Sequence, residues 1–259
     1  MSPFYRLKTN MERSNVDNRL QYKPDIVEFY LSERDLENPL LIRERIRELK
    51  EKNIKVYLHH PPQYKGRYLD ILSSDSEAKR FYMASCEILA AICEEEGTRC
   101  VVHAHYAGTE SSSDVSLASI RKMRREIAAV LEFSRELFVW EDTIEGLFCH
   151  ANPYLLEELI VPLELPLTVD VSHTFIGHRG NNEKLIETLG ATENYARYFH
   201  LVDSKGKFHD SLPLGTGLID WKAVKPFVEG KDYIFEIQLE GNHSDCTPMI
   251  ESARFFSEI

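Results

Sequence analysis

Short runs of β-branched and aromatic residues alternate with amphipathic stretches along this chain. The runs have the length and composition of β-strands, and the stretches between them repeat apolar residues at helical spacing. The predicted strands are PFYRLK, DIVEFY, KVYLHH, RCVVHAHY, LFVWEDT, LTVDV, YFHLV and YIFEI, which begin at residues 3, 25, 55, 99, 137, 167, 198 and 233. The pattern therefore predicts that strand and helix alternate about eight times.

Local end signals indicate where several of the helices begin and end. Asn152-Pro153 should open a helix, since asparagine caps a helix and proline fits its first turn. Ser74 and Glu77 have the spacing of a capping box. Gly97 and Gly190 are expected to close the helices that precede them.

The order of the elements predicts an α/β protein with a parallel sheet, because a helical crossover follows each strand. Eight βα units in 259 residues favour a single closed (β/α)8 TIM barrel. A doubly wound open sheet is the alternative. No stretch has the composition of a linker, so residues 1–259 are interpreted as one domain.

Composition and charge argue against several classes of protein. The hydrophobic fraction of 43% supports a full core, and no run approaches the ~18 apolar residues of a membrane span. The N-terminal segment MSPFYRLKTN has no apolar signal-peptide core, so we expect a cytoplasmic protein. The five cysteines form no CxxC pair, so we expect no disulfides. The net charge of −11 disfavours a large nucleic-acid surface, and RKMRR at 121–125 is expected on a solvated helix face.

Metal-capable side chains lie at six of the eight predicted strand ends. They are His60, His103 and His105, Glu141, Asp170 and His173, His200 and Asp203, and Glu236. The C-terminal ends of the strands of a (β/α)8 barrel converge on one face, so these residues should meet there. Carboxylates and imidazoles suit Zn, Mn, Co or Fe, which predicts a shared metal or catalytic centre. The alternative is a set of capping aspartates and ordinary surface histidines.

Several individual residues have two alternative orientations or roles. His59 and His60 are adjacent on one strand, so only one of them can point inward. Glu28 is either a site residue or a buried hydrogen-bonding partner. Three other histidines lie in loop-like contexts and are expected at the surface: His150, His178 and His243.

A set of short motifs occurs in order along the chain. They are HPP at 60–62, VVH at 101–103, WEDT at 140–143, DVSH at 170–173, HLVDSK at 200–205, PLGTGLIDW at 213–221 and FEI at 235–237. Together they resemble the xylose isomerase-like TIM-barrel superfamily, from about residue 25 to the C-terminus. That group includes sugar and sugar phosphate isomerases and epimerases, and also endonuclease IV. The resemblance implies the barrel fold, and it favours His60 over His59 as the inward residue.

The epimerase branch of this group implies one divalent ion held at the ends of the fifth to eighth strands. The matching positions here are Glu141, Asp170, His200 and Glu236, and the ion would be Mn, Co, Zn or Fe. Glu141 and Glu236 would be the acid/base pair that isomerises a sugar or sugar phosphate through an enediolate. His173 would hold a substrate oxygen. Lys205 is either a ligand for a hydroxyl or phosphate, or a solvated loop lysine.

The endonuclease IV branch implies up to three zinc ions and cleavage of abasic DNA. Its additional ligand positions match His60, His103 and His173. It also requires an Asp-x-His before the glycine loop of the seventh strand, where this chain has His209 and Ser211. Whether a gap brings His209 and Asp210 into service stays open. A third hypothesis is a barrel without catalysis that serves as a binding module. The resemblance also leaves a homodimer open.

Overall fold

Eight parallel strands form a closed barrel in the computed structural model, which describes residues 3–259. The strands are β1 Arg6–Thr9, β2 Ile26–Tyr30, β3 Lys55–His59, β4 Arg99–His103, β5 Phe138–Glu141, β6 Leu167–Asp170, β7 Ala196–Leu201 and β8 Asp232–Phe235. Each strand pairs with its sequence neighbours, and β1 closes the ring by pairing Leu7 with Phe235 of β8. The predicted (β/α)8 barrel is confirmed, and the open sheet is wrong.

Helices surround the barrel in the expected alternation. They are α1 Arg13–Leu20, α2 Pro39–Lys50, α3 Ser76–Glu96, α4 Leu117–Leu131, α5 at residues 156–163, α6 Asn182–Thr192, α7 Trp221–Val228 and α8 Thr247–Glu258. Helix α5 is irregular, because a π-helical segment, Leu156–Ile160, continues into a short α-helical turn, Val161–Leu163. Shorter elements follow some strands: Asp35–Glu37, the hairpin Gln63–Tyr64 with Arg67–Tyr68, Glu110–Ser113 and Val171–Gly177. Within residues 3–259, no helix is both long enough and apolar enough to cross a membrane.

Some of the predicted helix ends are wrong. Asp75, and not Ser74, caps α3, because its carboxylate accepts hydrogen bonds from the first amides of the helix. Asn152-Pro153 lies in a turn that precedes α5, which begins only at Leu156. Helix α6 continues through Gly190 to Thr192. By contrast, Gly97 ends α3 in the left-handed conformation, as predicted.

Apolar side chains fill the interior of the barrel below its C-terminal end. This inner layer consists of Ile26, Tyr57, Val101, Val139, Tyr198 and Ile234. The rings of Tyr57 and Tyr198 stack at 4.0 Å between centroids, an arrangement worth ~0.5–1.5 kcal/mol beyond the area that it buries. The layer closes the barrel from below, so polar groups above it are open to the C-terminal face alone.

Candidate active site

A layer of polar side chains lies directly above the apolar interior. Successive inward-facing residues of a strand are two positions apart, so the residue two after each apolar one also points inward. Six members follow the inner layer in this way: Glu28, His59, His103, Glu141, His200 and Glu236. Asp170 on β6 and Lys8 on β1 complete the layer, and Lys8 is in register with Glu28. Seven strands, and the residue directly after β8, thus contribute one polar residue each to the same end of the barrel.

Glu141 is the centre of this polar layer. Its Oε2 atom lies 3.2 Å from His59 Nε2 and 2.9 Å from His103 Nε2. Its Oε1 atom lies 3.1 Å from His200 Nδ1 and 3.6 Å from His173 Nδ1. Burial raises the pKa of Glu141, but the His103 and His200 imidazoles outweigh it and hold the pKa well below the ordinary value. Four imidazole nitrogens thus surround the Glu141 carboxylate.

The four residues expected to hold one metal ion are brought together. Glu141, Asp170, His200 and Glu236 each offer a ligand atom, and these atoms lie within 4.8 Å of one another. Three oxygen donors and one imidazole form a set that suits Mn, Co, Fe or Zn. A second group shares Glu141 and adds His59 and His103, again within 4.8 Å. The floor of the site therefore offers two adjoining groups of ligands.

Glu28 sets the orientation of the His200 ring. The His200 Nε2 atom lies 2.9 Å from Glu28 Oε2, and both side chains are fully buried. When Nε2 donates its hydrogen to Glu28, Nδ1 is left to face Glu141 Oε1 and Glu236 Oε2. Burial lowers the pKa of His200, but Glu141, Glu28 and Glu236 raise it well above its ordinary value. Three acceptor atoms therefore converge at one point: His200 Nδ1, Glu141 Oε1 and Glu236 Oε2. They need a positive charge between them, either a proton or a cation.

Asp142 links two of the predicted site residues, Asp170 and His173. Its Oδ1 atom accepts a hydrogen bond from the Asp170 amide at 2.8 Å, and its carbonyl oxygen lies 2.8 Å from His173 Nδ1. Burial raises the pKa of Asp142 to about 8, although the neighbouring His173 lowers it. The Asp170 carboxylate in turn caps the helix that follows β6 through the His173 amide. These bonds hold His173 beside Glu141.

His59, and not His60, points into the barrel. The prediction from the motif is therefore wrong, and the two residues exchange roles. His60 lies on the outer side of β3, where its Nε2 atom is 2.7 Å from Ser85 Oγ and its ring packs on Tyr82. Burial lowers the pKa of His60 to about 3, so it is a neutral packing residue. The alternation of side chains along a strand predicts the inward direction of His59, because His59 follows the inward-facing Tyr57 by two positions.

Asp203 supports a loop and lies outside both ligand groups. Its carboxylate accepts hydrogen bonds from the Ser204, Gly215 and Ile219 amides and from Trp221 Nε1. Any Cβ on Gly217 would overlap this carboxylate, so glycine is required there. Lys205 follows in the same loop, is exposed and is not among the residues that line the site cavity described below.

His209 reaches the site from that loop. Its Nε2 atom lies 3.1 Å from His173 Nε2, and Ser211 Oγ is 3.4 Å from the same His209 atom. Asp210 does not follow it, because its Oδ2 atom accepts the Lys205 amide. Of the two residues left open, His209 is thus at the site and Asp210 is engaged within the loop.

The remaining histidines lie outside the polar layer. His105 is buried and holds the Phe148 amide at 3.1 Å, so it supports a loop. The prediction of a surface position is wrong for His150, whose side chain is only 4% exposed. Burial lowers the pKa of His150 to about 3. His178 is half-buried and lies 2.8 Å from Thr188 Oγ1, and His243 is exposed.

A cavity of about 790 Å³ opens above the polar layer. Its floor includes the predicted residues Glu141 and Glu236, and its walls include three aromatic side chains: Tyr30, Tyr68 and Tyr106. The Tyr106 ring lies 4.4 Å from the His103 ring, and its buried hydroxyl has no hydrogen-bond partner within the described residues. A cavity of this size and lining suits a small polar molecule.

Comparisons with known proteins agree with this architecture. The model of the xylose isomerase-like TIM barrel family matches residues 21–259. A search of curated proteins gives no significant sequence match. A D-tagatose 3-epimerase-like protein is similar in structure, with a TM-score of 0.75 and 14% identity over 98% of this chain and 96% of its own.

Two further solved structures are similar over nearly their whole length. D-psicose 3-epimerase from Clostridium cellulolyticum, solved with D-tagatose, has a TM-score of 0.73 and 11% identity over 98% of this chain and 97% of its own. A protein from Thermus thermophilus, soaked with ZnCl2, has a TM-score of 0.71 and 19% identity over 98% of this chain and 96% of its own. At these identities the likeness shows the shared fold.

Proposed function

We propose that this chain, which belongs to the xylose isomerase-like TIM barrel family, is a divalent-metal-dependent isomerase or epimerase of a sugar or sugar phosphate. The observation that carries the proposal is the ligand group Glu141, Asp170, His200 and Glu236, of which Glu141 and Glu236 line the floor of a cavity of about 790 Å³. Two of the structural neighbours are named for ketose 3-epimerases, which supports the same class of substrate.

The residues present fit a divalent cation. Glu236 Oε2 is buried and, apart from His200 Nδ1, has no hydrogen-bond partner among the described residues; it faces the same point as His200 Nδ1 and Glu141 Oε1. A cation held by Glu141, Asp170, His200 and Glu236 would satisfy all of these acceptors. Such an ion polarises a substrate carbonyl and stabilises the negative charge of an enediolate. Its identity among Mn, Co, Zn and Fe is left to experiment, because these ligands suit all four.

Glu141 and Glu236 are proposed as the acid/base pair. Both carboxylates contact His200 Nδ1 and line the cavity floor, so a sugar in the cavity would lie against them. One carboxylate removes the proton from the carbon beside the carbonyl, and the same or the opposite one returns it. His59 and His103 hold the Glu141 carboxylate in place.

His173 is proposed to bind a substrate oxygen. It lines the cavity, and its Nδ1 atom is engaged with the Asp142 carbonyl oxygen, so Nε2 faces His209 and the open space. Burial lowers the pKa of His173, but the Asp170, Glu141 and Asp142 carboxylates raise it to about 9. A cationic imidazole of this kind would donate a hydrogen bond to an oxygen that gains negative charge.

A substrate screen tests the proposal. The purified chain is supplied with Mn²⁺, Co²⁺, Zn²⁺ or Fe²⁺ and offered aldoses, ketoses and their phosphate esters, with products separated by chromatography. Glu141→Gln should lower turnover by about 10²-fold or more, because it removes a proton-transfer group. Glu145→Gln is the matched control, since Glu145 is an exposed residue of the following loop. A folded Glu141→Gln protein with full turnover would contradict the role of Glu141 in proton transfer.

A second candidate function is an endonuclease IV-like phosphodiesterase that cleaves abasic DNA. The specific observation in its favour is the second ligand group, His59 and His103, which shares Glu141 with the first. Adjoining cations would activate water and balance an anionic substrate. Two or three bound zinc ions per chain, with EDTA-sensitive cleavage of an abasic-site duplex, would favour it. Failure to cleave the duplex in the presence of excess zinc would count against it.

A further inference from the structure

Lys8 is the exception in the polar layer of the barrel. The other seven residues of this layer are carboxylates or imidazoles, whereas β1 contributes an ammonium group. Lys8 lines the cavity, and its side chain is only 15% exposed. A lysine is seldom buried without a specific partner, so its contacts indicate what it does there.

The partner of Lys8 is the proposed ligand and base Glu236. The Nζ atom contacts Glu236 Oε1 in a partly buried ion pair, and it also lies 4.6 Å above the centre of the Tyr30 ring. The other oxygen, Oε2, is turned toward His200 Nδ1, and within residues 3–259 it has no other hydrogen-bond partner. Lys8 therefore holds one oxygen of the Glu236 carboxylate, Oε1, and leaves the other, Oε2, facing His200.

We propose that Lys8 is a positioning residue that makes Glu236 a one-oxygen ligand of the bound cation. A free carboxylate can bind a metal through one oxygen or through both. With Oε1 held by Lys8, Glu236 offers only Oε2, and one coordination position stays open for an oxygen of the substrate. Catalytic metal sites keep such an open position. This inference rests on the proposed function, because it assumes that the cation is held by the group that contains Glu236.

The surroundings of Lys8 explain how the ammonium is kept in place. Burial lowers the pKa of Lys8, but Glu236, Glu28 and Tyr30 together raise it above its ordinary value, so it stays charged. The Tyr30 ring attracts the cation over its face. Because a positive charge beside the site opposes metal binding, Lys8 should weaken the affinity for the cation while it protects the open position.

The electronic spectrum of bound Co²⁺ tests the proposal, since it reports coordination number directly. Spectra and Co²⁺ affinities are measured for the wild-type chain, Lys8→Met, Lys8→Arg and the matched control Lys55→Met. Lys55 also pairs with a carboxylate of β8, Asp232, but at the opposite end of the barrel. We expect Lys8→Met to gain a ligand, so that its visible absorption falls by about threefold or more. Its affinity for Co²⁺ should rise by about tenfold or more, because a neighbouring positive charge is lost.

Lys8→Arg should keep the wild-type spectrum, since it restores a donor to Glu236 Oε1, and Lys55→Met should change neither spectrum nor affinity. A Lys8→Met spectrum identical to wild type, with unchanged affinity, would overturn this inference and leave the proposed function standing. A wild-type chain that binds no Co²⁺ would overturn both. If Lys8→Met does not fold, a crystal structure of the Co²⁺-loaded wild type decides: Glu236 bound through Oε2 alone supports the inference, and binding through both oxygens overturns it.

Discussion

Glu28 offers a sharp way to test whether the polar layer is a metal site. Its carboxylate is fully buried and accepts the hydrogen of His200 Nε2 at 2.9 Å. Glu28→Gln keeps an oxygen acceptor of nearly the same size but removes the charge, whereas Glu28→Leu removes the acceptor as well. Both changes leave Glu141, Asp170, His200 and Glu236 intact. Any loss of metal affinity would therefore come from the orientation and basicity of the His200 ring.

The size of the effect follows from the hydrogen bond that is lost. A bond to a charged group is worth ~1.5–3 kcal/mol and a neutral one ~0.5–1.5 kcal/mol, so Glu28→Gln loses about 1–1.5 kcal/mol. This difference corresponds to about tenfold weaker binding, since ~1.4 kcal/mol is a factor of ten. Glu28→Leu loses the whole bond and should bind the cation about a hundredfold more weakly, the upper end for groups that support a metal ligand.

Competition titration against a fluorescent chelator measures these affinities with Mn²⁺, Co²⁺ and Zn²⁺. Glu96→Gln is the control, because Glu96 is also buried but pairs with Arg47 on the outside of the barrel. Circular dichroism establishes that each variant is folded. If Glu28→Leu binds all three cations within about twofold of wild type, and not about a hundredfold more weakly, Glu28 does not support a metal ligand and the reasoning is wrong.

Other residues should respond according to where they lie. His59→Ala should lower turnover by about tenfold or more, since it frees the Glu141 carboxylate, whereas His60→Ala should spare turnover and lower the free energy of unfolding by ~2–4 kcal/mol. Steady-state kinetics measures the effect on turnover, and urea titration measures the effect on stability. A loss of turnover in His60→Ala but not in His59→Ala would indicate that His60 is the site residue. Asp203→Ala should lower the free energy of unfolding by ~3 kcal/mol or more, because buried donors lose their acceptor, and limited proteolysis should then cut the loop at 204–220. Chelation of a cation present at a hundred times its Kd should remove ~2.7 kcal/mol of stability, which a melting curve with and without EDTA would detect; coincident curves would contradict a bound metal.

The barrel was predictable because strands and helices each repeat their apolar residues at a characteristic spacing along the sequence. The convergence of Glu141, Asp170, His200 and Glu236 was also predictable, since each follows an apolar run and strand ends converge in this fold. His59 was missed for a reason that the sequence itself could have corrected. Motif likeness favoured its neighbour, although strand alternation from Tyr57 places His59 inside.

Other parts of the site depend on the tertiary path of the chain. Lys8 was not expected, because the run PFYRLK has weak strand character and an isolated lysine is usually solvated. The approach of His209 to His173 depends on a loop held by Asp203 and bent by a positive φ at Ser211. Sequence spacing does not encode such a path, because a loop of this length has many conformations.

Proton exchange with solvent is the measurement that tests the central claim most directly. The metal-loaded chain is incubated in D2O with the sugars and sugar phosphates of the screen, and proton NMR follows the hydrogen on the carbon beside the carbonyl. An enediolate mechanism predicts that this hydrogen is replaced by deuterium in at least one sugar, and that Glu141→Gln and Glu236→Gln suppress the exchange while Glu145→Gln does not. Retention of the hydrogen in every sugar, by a chain shown to hold its metal, would contradict the proposed enediolate mechanism.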